Sequence, residues 1–88
     1  MTIATSDQLL EYGALRRQLR DIKGLVEKRT GVFEAQGRPL VELHADGTAI
    51  VAVVRSRHGE TRFALGTPVD QRKLIDEAKR RVLKLDDD

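Results

Sequence analysis

The apolar positions of this chain repeat with two different periods, and the change of period marks out the elements. From Thr5 to about Lys28, Tyr12, Leu15, Leu19, Ile22 and Val26 recur at alternating steps of three and four, with Leu9 and Leu25 widening the stripe. That spacing predicts a long amphipathic helix. Thr5 and Gln8 have the spacing of a capping box, and Ile3 or Ala4 is placed to staple onto Leu9. Arg16, Arg17, Arg20, Lys23 and Glu27 fall largely on its other sides. Gly13 and Gly24 each cost a helix interior about 1 kcal/mol relative to alanine, so tertiary contacts must hold it. Gly31 serves as its stop signal.

From Val32 to Leu65 the period becomes two. "PLVELHA" and "TAIVAVVRSR" flank Asp46-Gly47, a strong hairpin signal. A two-residue loop there pairs Leu43 with Ile50 and Val41 with Ala52. A second loop at His58-Gly59 pairs Val54 with Phe63 and Ala52 with Leu65. Both registers place Val41, Leu43, Ile50, Ala52, Val54, Phe63 and Leu65 on one face, as an antiparallel meander requires. "GVFEA" adds a candidate edge strand at Val32–Ala35 whose register is not fixed, with Pro39 disturbing the pairing beside it.

Thr67 to Leu85 is the second helix. Thr67 is its cap, Pro68 occupies the first turn and Asp70 follows at the third helical position. Ile75, Ala78, Val82 and Leu85, widened by Leu74, form the stripe to be buried. The expected architecture is a single α+β domain over residues 1–88, with 1–4 and 86–88 as frayed ends. It is a two-layer α-β-β-β-α arrangement, a three- or four-stranded antiparallel meander with both helices packed on one face. The Tyr12–Val26 stripe would also suit a dimer seam, but it spans only about two heptads, which favours packing on the sheet.

Composition narrows the picture. The aromatic residues are Tyr12, Phe33 and Phe63, so the core must be aliphatic, and oligomerisation is an available extra source of burial. With no cysteine, disulfides, thiolate metal sites and cysteine nucleophiles are excluded. The N-terminal "MTIATSDQ" lacks the pattern of a signal peptide, and no apolar run approaches the length of a membrane span. A cytoplasmic protein is expected. The net charge is +2, and +5 once the three C-terminal aspartates are set aside. The excess permits phosphate binding without requiring it. Arginine dominates lysine and asparagine is absent, a bias a GC-rich genome accounts for.

Candidate chemistry is sparse. Glu42, His44 and Asp46 alternate and so share a sheet face, the one arrangement resembling a metal or acid–base set; a turn aspartate beside a surface Glu–His pair is the favoured explanation. Gly24, Gly31 and Gly37 are too scattered for a phosphate loop, and Ser6 and Ser56 have no triad context. No catalytic residue, metal ligand or cofactor is assigned, and an enzyme is not expected.

The second sheet face is the informative one. Leu40, Val51, Val53 and Ala64 share it with Glu42, His44 and the arginines of "VVRSRHGETR". Mixed apolar and charged faces of this kind mark interaction sites when nothing covers them. The expected contact surface is Val51, Val53, Arg55, Arg57 and Arg62, aliphatics at the centre and arginines at the rim. The function expected is a small non-enzymatic binding or regulatory protein acting through a protein–protein surface, such as a regulator or inhibitor encoded by a mobile element. The alternative is a nucleic-acid-binding module using the ribbon Arg55, Arg57 and Arg62. The helix–strands–helix order is similar to that of double-stranded RNA-binding domains, whose second helix meets phosphates through a basic N-terminus; here that segment reads "TPVDQRK" without paired lysines. The partner expected is thus a protein, with nucleic acid as the alternative, a second copy of the chain as a further candidate, and no membrane.

Overall fold

The computed structural model describes residues 2–56 and 59–87, and among them six strands and two α-helices follow one another. β1 is Thr2–Ile3, and a short 3₁₀ turn at Leu10–Tyr12 leads into α1, Gly13–Arg20. β2 is Val26–Arg29, β3 Val32–Ala35, β4 Arg38–Asp46, β5 Ala49–Ser56 and β6 Gly59–Ala64, and α2 is Pro68–Asp87. All strand pairings are antiparallel. The class is α+β, as the change of period implies. The sheet is larger than the three or four strands expected, because five strands run in order from β2 to β6 and β1 pairs with β4 off that path. Five strands between the helices also separate this order from the α-β-β-β-α of RNA-binding domains.

Two-residue links with positive φ drive the meander. Gln36 and Gly37 both take positive φ, +53° and +80°, as a type I′ turn requires. The β4–β5 link is Gly47–Thr48 with φ of +64° at Gly47, so glycine comes first and Asp46 is drawn into the strand opposite Ala49. The register therefore differs from the one expected. Leu43 faces Ala52 rather than Ile50, and Val54 faces Thr61 rather than Phe63. Each shift is two residues, and a shift of two keeps every side chain on its face. Arg57 and His58, which belong to the second expected hairpin, lie outside the described residues, as does Asp88.

The first helix is the main correction. α1 ends at Arg20, and Gly24, with φ of +94°, turns the chain so that Val26 opens β2 and is 54% exposed. Gly24 is a breaker here rather than a tolerated interior residue, and a Cβ at that position would stand 3.1 Å from Val82 Cγ1 on α2. Ile22 and Leu25 stay buried in the turn, so helical spacing continued in sequence after the helix had ended. A continuous seam from Tyr12 to Val26 is thereby removed. The capping box itself forms. Thr5 N–H donates to Gln8 Oε1 at 2.9 Å and Gln8 N–H to Thr5 Oγ1 at 3.3 Å, but it opens the turn before the 3₁₀ segment.

The N-terminal segment also differs from a frayed end. Thr2 and Ile3 pair with Ala45 and His44, and Ala4 is buried. β1 and β3 share one side of β4, and Gly31 sits at their junction. Leu43 N–H donates to Gly31 O at 2.7 Å and Ala4 N–H to Leu43 O at 2.8 Å.

One hydrophobic cluster joins Leu15 and Leu19 of α1, Leu74, Ile75, Ala78 and Val82 of α2, and the sheet positions Phe33, Val41, Leu43, Ile50, Ala52 and Val54. The expected face thus meets both helices. At α2, Thr67 Oγ1 accepts from Asp70 N–H at 3.1 Å, the cap the sequence places there. Leu40 belongs to this cluster too, contrary to its assignment to the second face. The β3–β4 register shifts between Phe33 and Glu34, which face Val41 and Pro39, and Leu40 is the extra residue of the resulting bulge. Among the described residues, no helix is long and apolar enough to cross a membrane.

Candidate binding surface

Strand register assembles the second face in rows. Val32, Glu42, Val53 and Arg62 lie opposite one another across β3 to β6. The neighbouring row is Ile3, His44, Val51 and Ala64. Arg55 faces Glu60 beyond them. Val32 and Val53 are buried, yet neither belongs to the cluster that takes in the helices. Val53 lines a cleft of about 320 Å³ together with His44, Arg55, Glu60 and Arg62.

Glu42 is the hub. Its side chain is 12% exposed, and a single oxygen, Oε1, accepts from Arg55 Nη2 at 2.9 Å, Arg55 Nε at 3.2 Å and His44 Nε2 at 3.1 Å. Burial pushes the Glu42 carboxyl up, but hydrogen bonds from Arg55 and His44, with the charge of each, outweigh it and hold the group below the ordinary carboxylate range. The hydrogen bond to Glu42 in turn raises Arg55. A carboxylate can only accept, so His44 Nε2 carries the proton of this contact. His44 Nδ1 is buried without a hydrogen-bond partner among the described residues.

A second acidic residue extends the network outward. Arg55 Nη1 donates to Glu60 Oε2 at 3.4 Å and Arg62 Nη2 to Glu60 Oε1 at 3.3 Å. The two described arginines of the ribbon are thus already paired with the two glutamates of the same face. Arg57, the third arginine of the expected contact surface, lies outside the described residues, and Arg55 stands opposite Glu60.

The proposed contact residues therefore differ in availability. The side chains of Arg55 and Arg62 are 48% and 61% exposed, and Val51 is half-buried between His44 and Ala64. Val53, at 3% exposure, presents almost no surface of its own. Alternation cannot reveal this, because it assigns a face but not what neighbours do above it. Asp46 ends β4 in an exposed position, while Glu42 and His44 contact each other. Among the described residues, no group of three acidic or histidine side chains is placed to hold a metal.

Sequence reasoning also missed Glu27. Placed on the first helix by its spacing, it lies on β2 and accepts from Arg16 at 3.0 Å and from Gly31 N–H at 3.2 Å, joining α1 to the β2–β3 hairpin. A further cleft, between α1 and α2, is lined by Gln18, Asp21, Ile22, Ile75 and Lys79. No protein-family model, curated protein or solved structure matches this chain.

Proposed function

We propose that this chain is a small non-enzymatic binding protein, working in the cytoplasm as a regulator or inhibitor of a protein that docks on the second sheet face. Val51, with Ile3 and Ala64 beside it, supplies the apolar ground, and Arg55 and Arg62 supply the rim. The observation that carries this reading is the internal charge balance of the face, Arg55 and Arg62 against Glu42 and Glu60. A polyanion would have to displace two carboxylates from the guanidinium groups it needs. A protein surface of mixed polarity can exchange those pairs one for one.

The test uses the tagged protein as bait in extracts of its source cells, treated with nuclease, beside Val51→Glu and a control change at Lys79. Val51→Glu places a charge at the half-buried centre of the face and should abolish recovery of the partner, whereas Lys79→Glu should leave it intact. Recovery indifferent to Val51→Glu rejects this surface. Direct nucleic-acid binding that weakens steeply with salt and with loss of Arg55 or Arg62 would establish the nucleic-acid module instead.

A further inference from the structure

The two outer strands of the meander are unlike each other. β2 is four residues long, interrupted by a register shift between Glu27 and Arg29, and carries Lys28 and Arg29 in sequence. Short length, bulges and cations are the usual protections of a sheet edge. β6 is longer and free of bulges, and its one cation, Arg62, is matched by Glu60 on the same strand. Its six residues, GETRFA, pair in unbroken register with β5, contain no proline or lysine, and are all exposed except Phe63. It is a regular edge whose charges balance.

The ladder determines which backbone groups this edge offers. Ser56 and Gly59 close a hairpin with a two-residue link, which makes them a hydrogen-bonded pair. Alternation then directs the N–H and C=O of Gly59, Thr61 and Phe63 toward β5, and those of Glu60, Arg62 and Ala64 outward.

We propose that β6 pairs with β6 of a second copy of this chain, antiparallel and centred on Thr61. In that register Glu60 lies opposite the second copy's Arg62, and Arg62 opposite its Glu60. Both residues have outward-facing backbone groups, so these two positions become the hydrogen-bonded pairs, and unlike charges face each other at each of them. Thr61 meets its own copy across the two-fold axis as a non-hydrogen-bonded pair. Phe63 falls opposite glycine at position 59. Neighbouring symmetric registers lack this match. Centring on Glu60 or on Arg62 sets like charges face to face, and centring on Phe63 overlaps only the end of the strand. The two-fold register is isologous and closes at two chains, which leaves no free β6 edge. It joins two sheets into one and shares Glu60 and Arg62 with the edge of the docking face, whose centre, Val51, lies on β5.

The dimer is tested by sedimentation over a range of protein concentrations. Wild type is expected to dimerise. Glu60→Arg and Arg62→Glu should each be monomeric, because each puts like charges opposite, and the double exchange E60R/R62E should restore the dimer. Of the backbone hydrogen-bonding groups, Arg62→Pro removes an N–H that points away from β5, so it should give a folded monomer. Thr61→Cys supplies a readout independent of these charges. The chain has no cysteine, and a non-hydrogen-bonded pair brings the two Cα atoms within disulfide range, so Thr61→Cys should link two chains on mild oxidation. A wild-type protein that stays monomeric, a dimer indifferent to Arg62→Glu and Arg62→Pro, a double exchange that stays monomeric, or a Thr61→Cys protein that fails to link would each overturn the proposal. Val51→Glu lies outside the β6 seam, so it should lose the partner and keep the dimer; a wild type that dimerises without recovering a partner supports this inference while the docking surface fails.

Discussion

Glu42 shows how one buried carboxylate organises a surface. Three donors converge on a single oxygen, and the group remains charged because their combined pull exceeds the cost of its burial. A carboxyl whose folded value lies below its unfolded value stabilises the fold fully above the unfolded value, near 4.5, and that share is lost as the pH falls through the lower folded value. Glu42→Gln should therefore flatten the stability profile below about pH 4.5 in urea melts taken across a pH series. At neutral pH the same change should cost about 1 kcal/mol, a modest figure because solvent screens the half-exposed Arg55. A profile as steep as wild type in the variant would mean that other carboxylates carry the acid sensitivity. His44 and Arg55 matter to the face through this carboxylate as much as through their own exposure.

At the scale of elements, the junctions between strands carry the greatest constraint. Gly31 holds a φ of +80° where β1 and β3 meet on β4, and a Cβ there would lie 3.3 Å from Leu43 O and 3.4 Å from Ala4 O. Gly31→Ala should cost about 1–2 kcal/mol for the left-handed backbone alone. It should also speed amide exchange at Ala4 and Leu43, whose hydrogen bonds meet at this junction. Glu27→Ala removes the acceptor that ties Arg16 and Gly31 together and leaves both without it. A loss of about 1–3 kcal/mol in thermal or urea unfolding is expected, since the Glu27 side chain is only 9% exposed. The hairpin faces were legible in the sequence because a two-residue error of register does not alter parity. The extent of α1 was not, since Ile22 and Leu25 satisfy helical spacing while packing from a turn. β1 is too short for any periodicity, and Leu40 changes sides through a bulge that no alternation rule records.

Over the whole molecule, a small aliphatic core divides the chain into two kinds of surface. The helices and one sheet face enclose a single cluster built round Phe33, Leu43, Leu19 and Leu74. The other sheet face holds the buried Val32 and Val53 beside a balanced set of charges, with Ile3, Val51 and Ala64 as accessible apolar positions. The composition had suggested a basic ribbon, but the arginines that can be placed are engaged with Glu42 and Glu60. Among its described residues this face sets two arginines against two glutamates, and the proposal of a protein partner rests on that balance. The most direct measurement is recovery of a partner from nuclease-treated extract by wild type, Val51→Glu and Lys79→Glu, each first shown to melt cooperatively. Recovery by wild type and Lys79→Glu, with loss in Val51→Glu, is the predicted result; equal recovery by all three would contradict the assignment of this face.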